Sequence, residues 1–168
     1  TIVFRLAGAL MAKGGAVQYR VDPKSGNRIS ALGLGCMRFP GAPGRPDAKT
    51  ADAIISRAVE QGINYLDTAY LYPGNEACVG ASLERLGLRD RVLLATKLPH
   101  ASCKCAEDFD RFFDEQLRRL RTISTITSCI TLPRPPSGNV WWRWALRTGS
   151  RVKRRRGVFA RLVFRTTA

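Results

Sequence analysis

Three side chains able to act together lie near the middle of the chain. Asp67 and Tyr72 occur in "NYLDTAYLYPGNE" and Lys97 in "LLATKLP". Asp67 ends one short apolar run, Tyr72 follows in the loop, and Lys97 ends the next apolar run. A tyrosine titrates at about 10 and is a poor acid near neutrality until a cation stabilises its phenolate. A neighbouring lysine supplies that charge, and an aspartate keeps the lysine charged and oriented. A tyrosine so placed is a general acid that protonates a carbonyl oxygen as hydride reaches the carbon. The same residue types also make a structural ion pair beside a packed tyrosine, and spacing alone leaves both readings open.

The surrounding pattern supplies the elements that would position them. "VQYRV" and "RISALGLGCMRF" flank "DPKSGN" and predict a hairpin leading into a strand. "GAPGRPDA" is expected to be loop. "KTADAIISRAVEQG" places Ala51, Ile54, Ile55, Ala58 and Val59 on one helical face, with Gly62 suited to the position after the helix end. "INYLDTA" is expected to be a buried strand. Pro73-Gly74 predicts a turn, and Asn75 is expected to cap the helix "EACVGASLERLG", which Gly87 stops. "RVLLATKLP" is a further strand. In "AEDFDRFFDEQLRRLR" a helix turns Phe109, Phe112, Phe113, Leu117 and Leu120 inward, its acids early and its arginines late, as the helix dipole favours.

Strand followed by helix, repeated with short connections, predicts parallel βα units. An open doubly wound sheet and a closed barrel both satisfy that pattern. No GxGxxG follows the first strand, which weakens the dinucleotide-binding form of the open sheet. In a βα barrel, Asp67 and Lys97 at strand C-termini would converge on the face where active sites lie.

"GINYLDTAYLYPGNE", "ATKLP" and the opening "QYRVDPKSGNRISALGLGCMRFPG" resemble the aldo-keto reductases. The resemblance is strongest to the branch of predicted oxidoreductases with a C-terminal ferredoxin-like iron–sulfur segment, and it runs from about Gln18 to Thr122. It implies an α/β fold: the N-terminal part of a (β/α)8 TIM barrel, about three βα units preceded by a capping hairpin. It implies reduction of a small-molecule aldehyde or ketone by NAD(P)H. Asp67, Tyr72 and Lys97 match three members of the family's catalytic set. The fourth, a histidine ending the next strand, is missing. The single histidine, His100, falls in a loop three residues after Lys97 and is not assigned that role. Cofactor-binding residues are not assigned by this stretch. An iron–sulfur cluster is implied only for a full-length parent, since its segment is absent here.

After Thr122 the composition changes. Residues 1–122 carry 18 Lys+Arg against 13 Asp+Glu, whereas residues 123–168 carry 10 Lys+Arg, no acid, and Trp141, Trp142 and Trp144. The genetic code offers an explanation. Ile123 to Ile130, read one base earlier, permit Asp-Ile-Asp-Tyr-Tyr-Leu-Leu-His, which resembles the family's next strand; its last position allows only His or Tyr. The same offset applied to "RGVFARLVFRTTA" permits Gly-Arg-Ile-Arg-x-x-Gly-Phe-Ser-Tyr-His-Gly, which resembles the strand after that. Three segments are therefore expected: an uncertain leader, 1–16, with a start at Met11; a partial barrel, 17–122; and a basic, out-of-frame, non-native tail, 123–168. A chain so altered is expected to be inactive.

The rival reading takes the tail at face value. Tryptophans beside Arg143 and Arg147, followed by Arg151 and Lys153 to Arg156, suit a nucleic-acid or anionic-membrane binding module. Non-specific polyanion binding is expected from the charge alone. The five cysteines lack disulfide-scaffold spacing, and Cys103-Lys-Cys105 is too tight for a zinc pair, so no metal site is expected. Reduced thiols point to the cytoplasm.

Overall fold

The computed structural model describes residues 17–23, 25–122, 125–132 and 160–166, the last two stretches as backbone alone. The leader and the Trp/Arg run of the tail lie outside the described residues. The chain opens with an antiparallel hairpin, β1 (Tyr19–Val21) and β2 (Arg28–Ser30), as the turn residues between them predict. Asn64 ties it to the sheet, accepting from the Ser30 N–H at 2.8 Å and donating to the Arg28 carbonyl at 2.8 Å. Asn64 immediately precedes a central strand, so the hairpin sits at the N-terminal end of the sheet, away from the strand ends that carry Asp67 and Lys97.

β3 (Leu34–Gly35) follows, then a stretch expected to be loop. It holds a second small hairpin instead, β4 (Gly41–Ala42) with β5 (Arg45–Pro46). Its two-residue strands are too short for any alternation to show in the sequence. α1 (Ala48–Glu60) starts at Asp47, whose carboxylate accepts the Thr50 N–H at 2.8 Å. Ala51, Ile55, Ala58 and Val59 are buried and Ile54 partly so. Gly62, just past the helix end, has φ +91° and closes the turn through its N–H to the Val59 carbonyl.

β6 (Tyr65–Asp67), α2 (Asn75–Leu86), β7 (Leu93–Lys97) and α3 (Ala106–Arg119) complete the repeated units. Asn75 is not the cap of α2, contrary to expectation. Gly74 holds that position at φ +75°, and Asn75 is buried in the first turn, its amide donating to the Met37 carbonyl at 2.7 Å. Only glycine fits at 74: the conformation is left-handed, and a Cβ there would collide with the Gly44 carbonyl. Gly87 ends α2 at φ 63°, as predicted.

β3, β6 and β7 are parallel and adjacent in chain order, with Asp67 opposite both Gly35 and Ala95. That order never reverses, so it contains no switch point of a doubly wound sheet and follows the sequential winding of a βα barrel. Beyond Thr122 the backbone continues the same sheet. β8 (Thr125–Leu132) pairs with β7 and β9 (Ala160–Thr166) with β8, both parallel. An out-of-frame tail gives no reason to expect strands there. "TITSCITL" nonetheless carries the β-branched residues that favour extended backbone, whichever frame its codons belong to.

Two apolar clusters hold the helices to the sheet. Leu34, Leu66 and Leu94 meet Ile55, Val59, Val79 and Leu83, while Leu98 and Cys103 meet Phe109, Phe112 and Phe113. Gly80 lets α2 approach the end of α3: a Cβ there would lie 2.6 Å from the Arg119 carbonyl oxygen. Gly80→Ala gains about 1 kcal/mol of helix propensity. Overpacking against rigid backbone costs about 1–3 kcal/mol, occasionally more, and is expected to win here. A urea titration should show lower stability, whereas the same change at an open helical glycine would raise it.

Candidate active site

Asp67 is the last residue of β6 and Lys97 the last of β7. Because Ala95 faces Asp67 in the register, Lys97, two residues further on, shares a sheet face with both. The Lys97 Nζ accordingly reaches the Asp67 carboxylate and forms an ion pair with Oδ1. It also donates to the Thr68 carbonyl at 3.0 Å. Neither side chain is fully covered, with 25% of Lys97 and 34% of Asp67 exposed. The pair is therefore partly accessible.

Tyr72 completes the group. The loop after β6 is tied down by the Tyr70 N–H to the Lys97 carbonyl at 3.1 Å and the Tyr72 N–H to the Ala69 carbonyl at 3.1 Å. The Asn75 N–H donates in turn to the Tyr72 carbonyl at 3.1 Å. This brings the half-buried Tyr72 ring to the lysine, with Nζ 5.4 Å from the ring centroid. All three residues singled out in the sequence are thus brought together: carboxylate, ammonium and phenol in that order. The lysine contacts the ring of the phenol and bonds the carboxylate.

Cys36 lies beneath them. Its N–H donates to the Asp67 carbonyl at 2.7 Å, its side chain is fully buried, and burial first, then the Asp67 charge, pushes its thiol up. It stays protonated at neutral pH and offers no nucleophile. His100 begins a short turn, His100–Ser102, after β7; its side chain lies outside the described residues. Among the described residues no group of His, Cys, Asp and Glu is arranged to hold a metal ion. No described helix is long and apolar enough to cross a membrane.

A second polar group, which the sequence reading missed, lies directly behind the lysine. Glu76, Thr96 and Gln116 are buried between α2, β7 and α3. The Thr96 hydroxyl donates to Glu76 Oε1 at 2.6 Å. The Gln116 Nε2 faces Glu76 Oε1 at 2.9 Å, Thr96 Oγ1 at 2.8 Å and the Lys97 carbonyl at 2.9 Å. Arg119 approaches Glu76 Oε2 at 3.4 Å and lies over the Tyr70 ring. One signal was available: Gln116 interrupts the apolar face of Phe109, Phe112, Phe113 and Leu120.

The aldo/keto reductase family profile matches residues 31–127. The chain is 40% identical over 83 residues to norsolorinic acid reductase stcV of Emericella nidulans, covering 46% of this chain and 21% of that protein. Among solved structures it is similar to the holo form of aldo-keto reductase AKR11C1 from Bacillus halodurans. That match has 30% identity and a TM-score of 0.54, over 67% of this chain and 40% of the other. It is also similar to an aldo/keto reductase from Klebsiella pneumoniae in complex with NADP and acetate, with 28% identity and a TM-score of 0.51, over 67% and 38%. The chain spans between about a fifth and a quarter of the length of the curated relatives it matches, 21% and 25% for the first two.

Proposed function

Since the chain belongs to the aldo/keto reductase family, we propose that Asp67, Tyr72 and Lys97 form a carbonyl-reducing site that this chain carries incompletely. The observation that carries the proposal is the Lys97 ammonium, bonded to Asp67 and set against the Tyr72 ring. The Lys97 ammonium favours the negative charge that stays on Tyr72 once its proton has left, and Asp67 keeps the ammonium in place. Tyr72 gives its phenolic proton to the carbonyl oxygen of an aldehyde or ketone and is left as phenolate. NAD(P)H supplies the hydride to the carbonyl carbon when it is bound, so the products are an alcohol and the oxidised nicotinamide. The donor set fits such a partner, because it provides a proton source beside a cation. A cytoplasmic setting accords with the free Cys36, Cys78, Cys103 and Cys105.

The incompleteness lies at position 130. The family's histidine would stand there in the shifted frame, and the chain has Ile130, in β8 next to the strand of Lys97. The family match also stops at residue 127, close to Thr122, where the acids cease. Segment 123–168 is, on this reading, an out-of-frame tail. The experiment is to add one base in the Thr122 codon and to follow NADPH absorbance with an aromatic aldehyde. The product of the restored gene should consume NADPH, and its Tyr72→Phe variant should be slower by about 10²-fold. Equal rates for the restored protein and its Tyr72→Phe variant would overturn the assignment of the proton donor.

A further inference from the structure

The ammonium of Lys97 must be held to within a fraction of an ångström to serve both Asp67 and Tyr72, yet a lysine stem has four rotatable carbons. What fixes the base of that stem is its own carbonyl. Lys97 is the last residue of β7, where the ladder gives way to loop. Its carbonyl accepts from the Tyr70 N–H at 3.1 Å and from the Gln116 Nε2 at 2.9 Å. The first bond fixes the Tyr72 loop relative to the lysine. The second ties the lysine to α3.

Gln116 is itself held without choice. Its Nε2 faces three oxygens, those of Glu76, Thr96 and Lys97. Reversing the amide would set its oxygen against the Glu76 carboxylate, so the donor end is defined by its surroundings. The Thr96 hydroxyl commits its proton to Glu76 and can only accept from Gln116. Gln116 Oε1 is buried and has no partner among the described residues, so the amide is kept in place by its donor end alone. A leucine there would pack as well on the apolar face; a buried amide with one end unmet is unfavourable unless the other end is needed.

We infer that Gln116 is a positioning residue for Lys97, transmitting the fixed place of the buried Glu76–Thr96 pair to the lysine carbonyl and so to the ammonium. The inference rests on the carbonyl-reducing reading only for its purpose, because the geometry it predicts is measurable without turnover.

The test is pulsed acylation of the chain's lysines, read residue by residue by mass spectrometry. Lys97 should react slowly in the unaltered chain, and the exposed Lys49 and Lys104 quickly. Two variants are compared. Gln116→Met fills the same space without a donor. The exchange Glu76→Gln with Gln116→Glu keeps one amide and one carboxylate in the buried group, but a carboxylate at position 116 has no N–H for the Lys97 carbonyl. Both should raise the Lys97 rate by about 3- to 10-fold, as loss of one restraining hydrogen bond of about 1 kcal/mol implies. Lys49 and Lys104 should be unchanged, and the exchange variant should keep a cooperative melt. A Lys97 rate that stays at its original value in folded Gln116→Met, or in the folded exchange variant, overturns the inference and leaves Gln116 a core residue. Should Lys97 react as fast as Lys49 in the unaltered chain, the ammonium is not held at Asp67 at all, and the carbonyl-reducing reading falls first.

Discussion

The 168-residue chain should show no measurable reduction of a test aldehyde, at least about 10³-fold below the product of a gene with one base added in the Thr122 codon. The whole sequence after Thr122 differs between the two products, and one of its positions bears on the site directly. In the added-base product, position 130 reads as His or Tyr; in this chain it is Ile130. β8 runs parallel to β7 with Ser128 opposite Lys97, so position 130 lies toward the strand ends where the ion pair stands. On the proposed reading a histidine there would donate a hydrogen bond to the substrate carbonyl oxygen, whereas an isoleucine has neither donor nor acceptor. Loss of one positioned acid–base group costs about 10²- to 10⁴-fold in rate. Steady-state rates at saturating NADPH and aldehyde give the comparison. Equal rates would mean that the altered segment after Thr122 costs nothing, and the frame-shift reading of the tail would lose its functional consequence.

The site was legible because each of its members has a chemical signature and a place in a pattern. Asp67 and Lys97 end apolar runs whose alternation fixes which face they share, and Tyr72 follows in a loop bounded by Pro73 and Gly74. The hairpin, the three helices and the parallel sense of β3, β6 and β7 followed from the same periodicities. The choice between open sheet and barrel did not, since it depends on strand order, a tertiary property that short βα connections leave undecided.

Asn75 shows a different limit. Asparagine is a good cap by propensity, but the close approach of the Gly44 backbone demands glycine one position earlier, and Asn75 is drawn inward to bond Met37 instead. Tertiary contact overrode local preference. Glu76 and Gln116 escaped for a related reason. A glutamate in the first turn of a helix reads as a favourable partner for the helix dipole, and a glutamine on an apolar stripe reads as a flaw. Their meeting across 40 residues of chain is a property of how α2 and α3 cross at Gly80.

That meeting sets the largest stability effect expected of one substitution. Glu76→Leu should destabilise the chain by about 2 kcal/mol, a sizeable part of the roughly 5–15 kcal/mol that a domain commonly has. Glu76 is 1% exposed and takes hydrogen bonds from Thr96 and Gln116, with Arg119 against its second oxygen. A leucine would fit the volume, and its burial is favourable by about 2 kcal/mol. The gain is outweighed because the partners remain. The Thr96 hydroxyl loses its acceptor in a space closed to water, at about 1–3 kcal/mol, and the hydrogen bond of Gln116 to the carboxylate is lost at about 1.5–3 kcal/mol, although both Gln116 N–H still face Thr96 and the Lys97 carbonyl. Arg119→Leu provides the contrast. Arg119 keeps only 29% exposure but also bonds Glu115 at 2.7 Å near the surface, and its loss leaves Glu76 with two donors still in place. Its cost should be nearer 1 kcal/mol. Urea titrations should therefore show about twice the loss of stability for Glu76→Leu. Similar losses would mean that Glu76 draws its place from Arg119 and not from the Thr96–Gln116 pair behind the lysine.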